Sequence, residues 1–175
     1  MKSIFKNCLI TAILVIGFCI SIHAQHTTIW IVRHAEKDTS AANKRDPELT
    51  EIGKQRALDL ATFLKGQEPD MIFSTNTKRT RQTAAHFKAK VNTYDASLIK
   101  EFAQRIIDFQ KGKTILIVGH SNTVLETIEA LGGSRPVAQL VDDDYDYIFK
   151  VSLTAEGGVV TKAYHYGAKH HIEID

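Results

Sequence analysis

The stretch "TTIWIVRHAEKD", residues 27–38, runs apolar and β-branched through Val32 and then sets Arg33 and His34 side by side. A run so brief predicts a strand over 28–33 that is buried on both faces. The same pattern returns in "KTILIVGHSNTV", residues 113–124, where a strand from Thr114 to Val118 turns at Gly119 and meets His120. A third short strand, "DMIFST", ends at Ser74, and Arg79 follows it at the start of a helix. In parallel sheets, ligands bind beyond the carboxyl ends of the strands. Arg33, His34, Arg79 and His120 are therefore expected to converge at one edge of one sheet.

Helical segments separate these strands. Thr50 is placed to cap a helix in which Ile52, Ala57, Leu60, Ala61 and Leu64 recur at helical spacing, with Gly66 ending it. "TKRTRQTAAHFKAK", 77–90, reads as a second helix that packs through Ala84, Ala85 and Phe87. "VNTYD" supplies another strand, and Ser97 caps a helix carrying Leu98, Phe102, Ile106 and Phe109. The segment after Gly119 forms a last helix, closed by Gly132 and Gly133. Strands alternating with amphipathic helices predict an α/β fold, a three-layer α/β/α sandwich around a mostly parallel central sheet. Near the end, "YDYIFKVSLTAEGGVVTKAYHYG" reads as two strands joined through "AEGG", a C-terminal antiparallel hairpin. The preceding "VDDDYD" is expected to be a solvated loop, since a hard-cation loop needs spaced oxygen ligands and a turn glycine.

The first residues have the layout of an export signal. Lys2 and Lys6 give a positive start, Leu9 to Ile22 an apolar stretch, and "IHA" before Gln25 a cleavage site. The expected organisation is a signal peptide over 1–24 and one domain over 26–175, exported to a periplasm or secreted, with an uncleaved anchor as the alternative. Phe18 before Cys19 argues against a lipoprotein, because a small residue would be expected there. Cys8 and Cys19 both lie inside the leader, so the domain is left without disulfides or thiolate chemistry. Without Lys2 and Lys6 the 22 basic residues become 20, against 20 acidic ones. That balance excludes a strongly basic nucleic-acid binder, and membrane association is expected only through the leader.

The cluster itself suggests a chemistry. Arginine stays charged and offers a planar fork that matches phosphate oxygens, so paired arginines indicate an anion clamp. Imidazole can act as nucleophile or proton carrier near neutral pH. Cationic neighbours would hold one histidine neutral and nucleophilic. Phosphoryl transfer, which depends mostly on positioning and charge stabilisation, needs little more.

Four blocks carry a resemblance. "VRHAEK", "ELTEIGKQRALDLA", "STNTKRTRQTA" and "VGHSNTV" resemble, in order, signatures of the histidine phosphatase superfamily, which contains phosphoglycerate mutases and many phosphomonoesterases. The resemblance implies that His34 is the nucleophile forming a phosphohistidine, that Arg33 and Arg79 bind the phosphoryl oxygens, and that His120 stabilises the transferring group. It implies no metal and no cofactor, with a phosphorylated small molecule, or an exposed phosphate on a larger one, as partner. The ring nitrogen of His34 facing away from phosphorus should donate to an oxygen acceptor, such as a backbone carbonyl. Glu101 in "SLIKEF" is the expected general acid, although the family spacing is one residue shorter; Glu36 is the fallback.

Other positions carry weaker expectations. Ser40 and Asn43 are pocket candidates in a loop that lacks the family's Thr-x-Trp-Asn. Gln82 and Thr83 are expected to support Arg79, and His86 to lie on the surface. His165, His170 and His171 lack acidic or cysteine partners at metal-ligand spacing. Only 40 residues separate Arg79 from His120, too few for a large helical cap. An open phosphomonoesterase site is the leading expectation. Phosphohistidine protein phosphatase, mutase-like transfer and a phosphate-binding module without turnover are the alternatives.

Overall fold

The computed structural model describes residues 26–40 and 44–169. The proposed leader, Asn43, His170 and His171 lie outside the described residues. In chain order the elements are β1 (Thr27–Arg33), α1 (Glu51–Phe63), β2 (Met71–Ser74), α2 (Lys78–Thr83), β3 (Val91–Thr93), α3 (Ile99–Phe109), β4 (Thr114–Gly119), α4 (Val124–Ala130), β5 (Tyr147–Leu153) and β6 (Val159–His165). Together the strands make one sheet in the order β3-β2-β4-β1-β5-β6. β1, β2, β3 and β4 are parallel, while β5 and β6 form the antiparallel hairpin at one side.

The continuous apolar runs of β1 and β4 follow from burial on both faces. Ile29, Ile31, Ile115 and Ile117 point into one core with Phe102, Ala103 and Ile106 of α3 and Leu125 and Ile128 of α4. Trp30, Val32, Leu116 and Val118 point into the other, with Leu60 of α1, Leu64, Ala84 and Tyr166. Period-two alternation thus serves two cores at once, giving the three layers. Each fully buried aliphatic side chain there contributes roughly 1.5–3 kcal/mol.

The helices depart from their expected stripes. Thr50 does cap α1, its Oγ1 accepting the Gly53 N–H at 3.0 Å, and Gly66 takes the positive φ of 82° that ends the segment. Ile52 is exposed, however, and Gly53 and Arg56 face inward instead. A Cβ at Gly53 would fall on the Glu36 carbonyl oxygen, so the helix can approach the loop after β1 only with glycine at that position. α2 is shorter than expected, because i→i+3 bonds such as Ala84 N–H to the Arg81 carbonyl tighten the chain directly after Thr83. Ala84 is buried and Phe87 partly packed, but Ala85 is exposed. Asp95, rather than Ser97, accepts the capping bond before α3, from the Ser97 N–H at 2.9 Å. Leu98 and Phe109, expected in the core, are exposed.

Candidate active site

Register alone brings the two histidines together. Arg33 of β1 lies opposite Gly119 of β4, so His34 and His120 occupy the next position on neighbouring parallel strands. The His34 N–H donates to the Gly119 carbonyl at 3.0 Å, continuing the ladder by one bond. Their ring centroids are 5.3 Å apart and the planes inclined at 66°. On the other side of β4, Ser74 is paired with Val118, which sets Thr75 beside the same strand end.

His34 is buried and held in one tautomer. Its Nδ1 lies 2.8 Å from the Ala35 carbonyl oxygen, which can only accept, so Nδ1 carries the proton and Nε2 keeps its lone pair. Burial lowers its pKa from 6.5 to about 3, against the raising effect of the Ala35 bond, and Arg79, Arg33 and His120 lower it further. Cationic neighbours therefore do contribute, as the sequence suggested, but desolvation is the larger cause. The Ala35 N–H is fixed in turn by Thr83, whose Oγ1 accepts it at 2.9 Å and donates to the Arg79 carbonyl at 2.8 Å. Gln82 accepts the Leu49 N–H at 2.9 Å, tying α2 to the loop before α1.

His120 is also kept neutral. Its Nδ1 is 3.4 Å from Arg79 Nη2, and a guanidinium can only donate, so Nε2 bears the proton and gives it to Thr75 Oγ1 at 2.8 Å. The Thr75 hydroxyl passes its own hydrogen to Thr80 Oγ1 at 3.2 Å. Burial, then Arg79, Arg33 and Lys37, bring the His120 pKa down to about 4. Thr75 is not among the residues that the sequence points to. Its position one residue past a strand end, like that of His34 and His120, was the available signal.

The two guanidiniums flank these rings. Arg33 is buried, and its Nη1 donates to the carbonyls of Val141 and Asp142, both at 2.9 Å. Its Cζ sits 4.2 Å from the centre of the Tyr145 ring, and Nη2 reaches the Tyr145 hydroxyl at 3.4 Å. Arg79 lies partly buried with Nη1 3.8 Å from Asp46. Burial lowers its pKa, opposed by Asp46, but an arginine remains charged. The Nε atoms of both arginines are buried with no hydrogen-bond partner among the described residues.

"VDDDYD" is not simply solvated. Asp144 and Asp146 are buried, and the loop reaches across to the Arg33 end of the site. This contact spans more than a hundred residues, and nothing in the local charge pattern announced it.

The remaining candidates fall elsewhere. Glu36 is buried against Arg56, whose Nε lies 2.9 and 3.0 Å from its two carboxylate oxygens. Glu101 is exposed in the first turn of α3, and no hydrogen bond or ion pair joins it to the cluster among the described residues. Ser40 is exposed and bonded to Asp38, and His86 is exposed. His165 Nδ1 lies 3.2 Å from Asp146. Among the described residues no group of three metal-type side chains could hold an ion.

Residues 29–101 match the family model of the histidine phosphatase superfamily, branch 1. Over that span, somewhat less than half of its length, the chain is similar to that superfamily. No curated protein matches it in sequence. Among solved structures, it resembles a Nakamurella multipartitia protein assigned as the phosphohistidine phosphatase SixA, at 22% identity and TM-score 0.61, over 83% of this chain and 99% of that one. The protein histidine phosphatase SixA complexed with tungstate is similar at 19% identity and TM-score 0.63, over 79% and 96%. Phosphoserine phosphatase from Entamoeba histolytica, in complex with 3-phosphoglyceric acid, is similar at 20% and 0.62, over 82% and 98%. These likenesses establish a shared fold across nearly the whole of each relative.

Proposed function

We propose that this protein is a metal-independent phosphomonoester hydrolase that works through a phosphohistidine on His34. The observation that carries the reading is the Nδ1–H bond from His34 to Ala35, which leaves a neutral Nε2 lone pair on a ring beside His120 and within the field of Arg79 and Arg33. A lone pair so placed attacks phosphorus, and the P–O bond to the leaving group breaks as the N–P bond forms. Arg33 and Arg79 bind the equatorial oxygens, His120 meets the same group from the neighbouring strand, and water then cleaves the N–P bond. The family match over residues 29–101 supports the same reading. Residues 1–24 direct export in this account, so the substrate is a small ester or an exposed phosphate met outside the cytoplasm.

The leaving oxygen needs a proton. Glu101 is the proposed donor, approaching from the first turn of α3. A second reading follows from its exposure and from the engagement of Glu36 with Arg56. With little acid assistance, the enzyme would favour groups that depart easily, including the phosphohistidine substrates named for the SixA relatives. Kinetics on two ester classes separate the readings. Hydrolysis of an aryl phosphate should survive chelator and vanish in His34→Ala; phosphate binding without turnover of any ester would leave a binding module. Glu101→Gln should slow alkyl esters by about 10²-fold while sparing aryl esters. Equal rates on both would remove Glu101 from the mechanism.

A further inference from the structure

The loop between α4 and β5 is built as a closed unit. Asp144 accepts the Val141 N–H through Oδ2 at 2.7 Å, and its own N–H returns to the Val141 carbonyl at 3.1 Å. The Tyr145 N–H donates to the Asp143 carbonyl at 2.9 Å. With Asp144 and Asp146 buried beneath it, the loop presents three things to Arg33: the carbonyls of Val141 and Asp142, and the face of Tyr145.

Which edges of the guanidinium are used matters. Both carbonyls engage Nη1, on the edge away from Nε–H. The Tyr145 ring covers one face at 4.2 Å, the range in which a cation is attracted to an aromatic quadrupole. Left over is the edge formed by Nε and Nη2, the side-on pair that suits a bidentate oxyanion. Among the described residues, Nε is buried without a hydrogen-bond partner, and Nη2 has the long contact to the Tyr145 hydroxyl and a distant one, 3.9 Å, to Asp142. Tyr145 also lies beside the nucleophile, its ring centroid 6.1 Å from that of His34.

We propose that Tyr145 is a positioning residue for the phosphate clamp, its ring and the 141–144 loop fixing Arg33 so that the Nε/Nη2 edge is turned to the anion before it arrives. This rests on the assignment of Arg33 to phosphate binding. An unrestrained arginine would surrender side-chain entropy on binding; one already stacked and tethered surrenders less, and the gain appears as affinity.

The test is a double-mutant cycle on inhibition by inorganic phosphate and by vanadate, with KM and kcat for an aryl phosphate measured in parallel. Tyr145→Leu removes the ring face and should weaken both inhibitors about tenfold and raise KM more than it lowers kcat. Tyr145→Phe, which keeps the ring, should recover most of that loss. In an Arg33→Ala background, Tyr145→Leu should cause no further weakening, because its effect passes through Arg33. A thermal melt accompanies each variant. If Tyr145→Leu does not fold, Tyr145→Gln takes its place with the same expected signs. Unchanged inhibition by phosphate in Tyr145→Leu, or an equal loss with and without Arg33, would overturn the proposal. If Arg33→Ala alone leaves phosphate inhibition unchanged, the clamp assignment falls instead, so the two failures are distinct.

Discussion

A single proton decides what His34 can do. With Nδ1–H committed to the Ala35 carbonyl, the ring has one free lone pair, and burial keeps it unprotonated. Both histidines have folded-state values well below 6.5, about 3 for His34 and about 4 for His120. Between those values and 6.5 the unfolded chain binds more protons than the folded one, so stability rises with pH across that window. The contribution is complete above about pH 6.5 and is lost as pH falls toward 4 and then 3. Titration of the imidazole signals by NMR checks this: neither ring should show an inflection near 6.5, and His34 should remain the Nδ1–H tautomer at pH 5. An inflection at the ordinary imidazole value for either would contradict the burial argument. From sequence, neutrality could be attributed only to the arginines, because the depth of a strand end in the fold is not written in its neighbours.

At the scale of elements, the strands were the readable part and the helix faces were not. β1 and β4 are uniformly apolar because both faces are buried, so their ends, and with them Arg33, His34 and His120, could be placed without knowing the register. α1 misleads because its inward face includes Arg56 and Gly53, which a search for apolar side chains passes over in favour of the exposed Ile52. Close approach explains the glycine: Gly53→Ala would drive a methyl into the Glu36 carbonyl and should cost about 1–3 kcal/mol in a urea melt. Because Glu36 lies two residues from His34, the variant should also lower kcat. A variant as stable and active as the parent would show that the loop after β1 yields freely. Arg56 needs the same proximity, since it is buried with its guanidinium on the Glu36 carboxylate and on the carbonyls of Tyr166 and Ala168.

The whole molecule gathers its chemistry at the carboxyl edge of the parallel strands, with contributions from well-separated segments. The loops after β1, β2 and β4 deliver His34, Thr75 and His120, the first turn of α2 delivers Arg79, and the 141–146 loop between α4 and β5 closes over Arg33. Arg33, His34 and His120 are legible in the sequence as strand-end residues, and Arg79 as a residue at the start of the helix after a strand end. Tyr145 is not, because it lies in a run of acidic residues and acts only through a partner distant in sequence. The central claim is that His34 becomes covalently phosphorylated during turnover. Rapid quenching of the protein with an aryl phosphate labelled on phosphorus tests it most directly. The expected result is a label that is stable to alkali, released by acid, located on His34, and missing in His34→Ala. Turnover at a normal rate with no phosphohistidine, or with the label on another residue, would contradict it.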